Sequence, residues 1–178
     1  GHALALGDDV ILIGGALVGL VLGAAIVCRS AAAATSVVDG RFLRDGFAFT
    51  VRGINYYPGD YAWDRFWAQY GEPPVSAQID AELDRARDIG VNTVRIFVPF
   101  ALFSKDATPE LTGHLTDFAQ RLAARGMTAI VTLFDGYAGS ATTPYSEVDD
   151  TASFGHIDLV ANALAGDGHT LLIWDVKN

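Results

Sequence analysis

Along the second half of the chain the spacing of apolar positions alternates between a helical and a strand-like period. In SAQIDAELDRARDI, Ser76 to Ile89, the residues Ile79, Leu83, Ala86 and Ile89 fall on one helical face, with acids and arginines elsewhere. Ser76 reads as the N-cap of this helix and Gly90 as its stop. NTVRIFVPF then reads as a strand. The alternation recurs as TGHLTDFAQRLAARG, carrying Leu115, Phe118 and Leu122 on one face, followed by MTAIVTLFD. It recurs again as FGHIDLVANALAGDG followed by HTLLIWDVKN. The three junctions DIGVNTVRIF, ARGMTAIVTLF and GDGHTLLIWD share an apolar helix end, a Gly, a Thr and an apolar run. Gly90, Gly126 and Gly168 therefore recur at about 40 residues, the size of one β/α unit. Upstream, VVDGRFLRDGFAFTVRGINYY is β-like, with turn dipeptides at Asp39-Gly40 and Asp45-Gly46.

Strands apolar on both faces and separated by helices predict a parallel sheet covered by helices. Two architectures satisfy that, a doubly wound open sheet and a (β/α)₈ TIM barrel. A doubly wound nucleotide-binding sheet usually carries a Gly-rich turn after its first strand. Here that strand is followed by NYYPGDYAWDRFWAQYGEPP, which is aromatic and has no phosphate-cradling pattern. The barrel is favoured. The expected strands are Phe49–Asn55, Asn92–Val98, Ala129–Asp135 and Leu171–Val176. A whole barrel takes roughly 250 residues and eight strands, so these make its first half. Half a barrel leaves unpaired edges, so residues 37–178 alone are expected to aggregate or pair edge to edge.

The amino-terminal part is different. Val10 to Cys28 is an uncharged run about as long as the roughly 20 residues that span a bilayer. It reads either as an export signal, with Ala31 to Ala34 as the cleavage region, or as an uncleaved anchor with Gly15, Gly19 and Gly23 on a packing face. The expected organisation is thus residues 1–36 as signal peptide or membrane anchor with a short linker, and 37–178 as the half barrel. The protein would then be secreted, or membrane-anchored through residues 10–28 with the barrel outside the cytoplasm. With no initiator Met and acids ahead of the apolar run, the amino terminus is expected to begin further upstream.

Charge and composition exclude several classes. A formal net charge of −9 with no clustered Lys or Arg argues against nucleic acid. A single cysteine, Cys28, permits no disulfide framework, and the four histidines lack the spacing of a zinc motif. No metal and no cofactor are expected.

In a TIM barrel the active site lies at the carboxyl ends of the strands. Those ends supply Asn55, Tyr56 and Tyr57, then Asp135 and Tyr137, then Trp174, Asp175 and Asn178, with Arg95 within the second strand. The first long loop adds Tyr61, Trp63, Phe66, Trp67 and Tyr70. Aromatic faces mixed with amides, an arginine and carboxylates suit sugars, whose C–H faces stack and whose hydroxyls need polar partners. Arg95, alone in TVRIFV, is costly to bury unpaired. It either bridges to an acid on a neighbouring strand or holds an essential carboxylate ionised and oriented. Trp174 either lines the core or stacks on ligand. Asp135 either contacts substrate or caps the turn at Gly136. Asp175, inside its strand, is expected to make a structural hydrogen bond, and Glu147 in PYSEVDD to be solvated.

RGINYYP, LDRARDIGVNTVRIF and a strand ending in WDVKN together resemble glycoside hydrolase family 5 and its clan A relatives, the cellulases and β-mannanases. The resemblance runs from about Val37 to Asn178. In that family the fourth strand commonly ends W-x-x-x-Asn-Glu-Pro, and Trp174 to Asn178 match it up to the asparagine. The resemblance implies that Asn178 hydrogen-bonds the hydroxyl beside the reacting carbon and that Arg95 orients the nucleophile. It also implies an acid/base glutamate immediately after Asn178 and a nucleophilic glutamate on the seventh strand, neither of which this chain contains. Asn55, Tyr56, Trp63, Asp135, Tyr137 and Trp174 are the expected substrate contacts. One departure is LFDGYAG, where many family members carry a histidine at the end of the third strand. The implied reaction is retaining hydrolysis of a β-glycosidic bond by two carboxyl groups roughly 5–5.5 Å apart. The piece present here is expected to be inactive alone. Two other classes compete: a non-catalytic carbohydrate-binding barrel, and an unrelated barrel enzyme acting on phosphorylated substrates.

Overall fold

The computed structural model describes residues 35–62, 64–103, 107–135, 150–167 and 170–177. The leader expected over residues 10–28 lies outside them, as do Trp63, Tyr137, Glu147 and Asn178. Among the described residues no helix is long and apolar enough to cross a membrane.

The chain opens with β1 (Thr35–Val38), β2 (Arg41–Arg44) and β3 (Phe47–Ala48), a small antiparallel sheet in the order β1-β2-β3. Both turn dipeptides do what their composition requires: Asp39 and Gly40 have φ of 50° and 71°, Asp45 and Gly46 of 53° and 81°. Positive φ at both central residues gives the tight turn whose twist matches paired strands.

The second sheet carries the β/α alternation. It contains β4 (Gly53–Asn55), β5 (Thr93–Pro99), β6 (Thr128–Asp135) and β7 (Leu171–Lys177), all parallel and in the spatial order β4-β5-β6-β7. Spatial order equal to chain order is the staircase of a barrel wall, whereas a doubly wound sheet reverses at a switch point. Between the strands lie α1 (Asp64–Ala68), α2 (Pro73–Asp88), α3 (Pro109–Ala124) and α4 (Asp150–Leu164), the last followed by a 3₁₀ turn at Ala165–Asp167.

Helix α2 corrects two expectations. It begins three residues before Ser76, because Pro73 and Pro74 are suited to a first turn where the N–H groups lack partners anyway. Ser76 lies inside it, and its hydroxyl accepts a hydrogen bond from Arg121 at 2.8 Å. Ile89 is the C-cap residue and is 83% exposed. The helix stops where Gly90 takes φ 90°, so the fourth position of the apolar face never turns inward. Helix α3 starts at a Thr108 cap, whose hydroxyl accepts from the Leu111 N–H at 3.3 Å.

The core sits between the sheet and its helices. Ile79 and Leu83 of α2 and Leu115, Phe118 and Leu122 of α3 are fully buried in one cluster with Val94, Ile96 and Val98 of β5 and Ala129, Val131 and Leu133 of β6. Each buried Leu or Ile contributes about 1.5–3 kcal/mol through removal from water. His156 of α4 is also fully buried, with its ring nitrogens on the carbonyls of Phe103 and Leu133. It ties α4 to the carboxyl end of β6 and to the loop after β5.

Candidate functional site

Strand register decides which side chains share the concave face, the side that would become the barrel interior. Side chains directly opposite in register point the same way. Asn55 pairs with Arg95, Arg95 with Ile130, and Ile130 with Ile173. One level nearer the carboxyl ends, Phe97 pairs with Thr132 and Thr132 with Asp175. The buried hydroxyls of Thr93 and Thr128 bond at 2.9 Å on the level below. These levels are the stacked layers that fill a barrel. An open hollow of about 390 Å³ lies over Val51, Gly53, Ile54, Asn55, Arg95 and Ile130.

A polar column crosses the concave face. The Arg95 guanidinium donates through Nε to Asp175 Oδ2 at 2.9 Å, and Nη2 bridges to the same oxygen. The Thr132 hydroxyl donates to that oxygen at 2.9 Å. The guanidinium carbon lies 4.7 Å from the centre of the Phe97 ring. Tyr57 stacks on Phe97, with centroids 5.1 Å apart and planes 11° from parallel. The Tyr57 hydroxyl then donates to Asp135 at 3.0 Å, and Asp135 is buried at the end of β6. The sequence Asp135, Tyr57, Phe97, Arg95, Asp175 is thus one contact chain. Carboxylates close its two ends, with two aromatic rings and the Arg95 cation between them. Arg95 and Asp175 each keep about a quarter of their side chain exposed, at 25% and 26%. The bridge is therefore reachable from the concave side.

The structure separates the expected site residues into two groups. Arg95, Asn55 and Asp135 lie on the concave side or at its rim. Arg95 does bridge to an acid, but that acid is Asp175 on β7, one strand beyond the neighbouring β6. Tyr56 and Trp174 face the other way. Tyr56 is 4% exposed, stacks on Phe118 of α3 at 5.7 Å and donates to Glu82 of α2 at 3.1 Å. Burial, and secondarily the Glu82 carboxylate, push its phenol above the ordinary tyrosine range, so it stays protonated. Trp174 is opposite Val131 and borders a space lined by Leu133, Ile157 and Ala161, on the helix side of the sheet. Since side chains alternate along a strand, an inward Asp175 requires an outward Trp174.

The first long loop also corrects an expectation. Phe66, Trp67 and Tyr70 belong to the core and line no cleft: they are 0%, 0% and 3% exposed. The short helix α1 turns them inward, and the Trp67 indole N–H donates to the Phe97 carbonyl at 2.8 Å. That bond pins the loop to the strand carrying Arg95 and Phe97. Tyr61 stays partly exposed, with the Arg65 guanidinium 5.4 Å from its ring. Trp63, Tyr137 and Asn178 lie outside the described residues.

Sequence reasoning underused Tyr57, Phe97, Thr132 and Asp175. A signal was available for the last: Arg95 and Asp175 each interrupt an otherwise apolar strand, and opposite charges so placed are expected to meet. Among the described residues no group of His, Cys, Asp and Glu could hold a metal ion.

With this geometry in view, the fold is similar to that of two solved glycoside hydrolases. One is the exo-β-1,4-mannosidase Op5Man5 from Opitutaceae bacterium strain TAV5, at TM-score 0.60 and 22% identity, covering 75% of this chain and 26% of that one. The other is a GH5_18 protein from Bifidobacterium longum subsp. infantis, at TM-score 0.52 and 19% identity, covering 71% and 32%. At these identities the likeness is one of fold. The chain spans about a quarter to a third of the length of these proteins. No protein-family model matches the chain, and neither does any curated protein sequence.

Proposed function

We propose that the chain is the amino-terminal half of a glycosidase barrel that cleaves a β-glycosidic bond with retention, acting on a β-mannoside or a related β-linked glycan. The observation that carries this is the column on the concave face: a cation held within the sheet and flanked by aromatic and acidic groups toward the carboxyl ends of the strands. The fold likeness to glycoside hydrolases supports it, as does the W-x-x-x-Asn spacing from Trp174 to Asn178.

In this reading Arg95 orients the nucleophilic carboxylate supplied by a later strand. Asn178 binds the hydroxyl beside the reacting carbon. Asn55 and Asp135 take sugar hydroxyls, the latter where relatives carry histidine, and Tyr57 offers an aromatic edge at the rim. Trp63 and Tyr137 remain stacking candidates, while Tyr56 and Trp174 support strand ends from the helix side. The acid/base is a glutamate immediately after Asn178, so residues 1–178 alone are inactive. The leader directs the barrel outside the cytoplasm.

The experiment is to express the complete reading frame and assay it on p-nitrophenyl β-D-mannopyranoside, the corresponding β-glucoside and β-1,4-mannan. Release of a product that keeps the β-anomeric configuration is expected. A complete frame lacking Glu after Asn178 sinks the reading. So does a folded protein that binds mannan but hydrolyses none of the three, which returns the non-catalytic carbohydrate-binding barrel.

A further inference from the structure

We propose that Asp175 is a positioning residue that acts through Arg95, and that Thr132 completes the clamp. The inference rests on the glycosidase reading and goes beyond it by adding two residues that the family resemblance does not bring.

One carboxylate oxygen, Asp175 Oδ2, takes the Arg95 Nε hydrogen bond at 2.9 Å, the Nη2 bridge and the Thr132 hydroxyl at 2.9 Å. Three donors on one oxygen fix that oxygen from two strands, β5 and β6. The hold on Nε and Nη2 together sets the guanidinium plane, because a guanidinium is flat and its donors diverge at fixed angles. Phe97 closes one face of that plane at 4.7 Å, and Tyr57 backs Phe97. Arg95 therefore cannot swing without breaking a charge-assisted bond. Such preorganisation is what a group needs if it is to hold a reacting carboxylate within a fraction of an ångström.

Asp175 has a second effect through charge. Among the described side chains, Arg95 from β5, Asp135 from β6 and Asp175 from β7 are charged groups on this face, and the Tyr57 phenol bonds Asp135. Asp175 offsets the Arg95 charge, so carboxyl groups brought in by later strands meet a nearly neutral pair in place of a bare cation. Removing the Asp175 charge exposes them to the uncompensated guanidinium, which favours their ionised form. A residue that served only to fill the barrel would not move the pH dependence.

The test uses the complete protein, assayed with p-nitrophenyl β-D-mannopyranoside and β-D-glucopyranoside across pH. In Asp175→Asn, kcat is expected to fall on the order of 100-fold with KM changed much less. The alkaline limb of the kcat/KM profile should move toward acid. Asp175→Glu keeps the charge and should restore the position of that limb while leaving kcat reduced. If Asp175→Asn does not fold, Thr132→Val carries the test, since it keeps both charges and removes one hold. It should lower kcat severalfold with the limb unmoved. An active parent whose Asp175→Asn variant keeps its kcat and its profile overturns the inference alone. So does a Thr132→Val variant with parental kcat where Asp175→Asn fails to fold. A parent inert on both substrates overturns the glycosidase reading, and the inference with it.

Discussion

The two faces of the β4–β7 sheet solve opposite problems with the same strands. On the helix side, Val94, Ile96 and Val98 alternate with the concave Thr93, Arg95 and Phe97, and meet the buried faces of α2 and α3. Charged groups on this side link the two helices to each other. There Arg121 bonds Asp80 and Asp117 at 2.6 and 2.7 Å, and Arg125 bonds Asp84 and Asp80 at 2.9 and 3.0 Å. On the concave side, polar groups stand within the sheet and pair with each other. The helix side is thus an apolar core whose charges link α2 to α3, with the Arg121 and Arg125 side chains only 20% and 12% exposed and their carboxylate partners nearer to half exposed. The concave side keeps its charges in a partly dry bowl, where orientation matters more than net stabilisation.

Four substitutions or titrations press on that difference. The largest effect is expected from Trp67→Ala, which empties a fully buried site and removes the indole bond to the Phe97 carbonyl. Chemical denaturation should show a loss of about 3–5 kcal/mol. A loss below 1 kcal/mol would mean that the first loop does not share the core.

Arg95→Met tests the other face. It should cost the complete protein on the order of 100-fold in kcat/KM, about 2.7 kcal/mol of transition-state stabilisation. The α2–α3 ion pairs lie on the other side of the sheet and should be untouched, as hydrogen exchange of those helices would report.

Acid titration separates the faces more gently. Burial raises the Asp117 carboxyl, but hydrogen bonds from Tyr70 and Arg121 together with the Arg121 charge outweigh it, leaving the group below the ordinary carboxylate range. A depressed carboxyl contributes stability that is complete above its unfolded-state pKa of about 4 and is lost as pH falls below it. The parent protein should therefore lose more stability between pH 5 and pH 3, values chosen to bracket roughly that pKa, than Asp117→Asn does. Equal losses would place the acid sensitivity elsewhere.

The smallest effect is expected at Ile89. Its position looks like core in the periodic pattern, yet it is 83% exposed. Ile89→Gln should change stability by less than about 0.5 kcal/mol.

Local patterns were readable wherever one periodicity dominated. The glycine stops at Gly90 and Gly126 take φ of 90° and 67°, as a chain leaving a helix requires. The strands that follow start within one residue of where the apolar runs place them. The start of α2 was less legible, since Ser76 is a good cap and Pro73 a good first-turn residue, and spacing alone cannot rank them. The aromatic loop is ambiguous for a similar reason. Phe66, Trp67 and Tyr70 suit a sugar cleft and a core equally well, and only the turn at α1 aims them inward.

The sequence by itself determined the β/α repeat, the turns and the parallel sheet, because helical and strand periods and positive-φ turns are properties of neighbours along the chain. Only the tertiary structure decided that Tyr57 faces the bowl while Tyr56 faces the helices, and that Asp175 meets Arg95 while Trp174 turns outward. A one-residue change of register exchanges the two faces of a strand. That register is set by hydrogen bonds and packing between segments as far apart in the chain as Arg95 and Asp175, which no local pattern encodes.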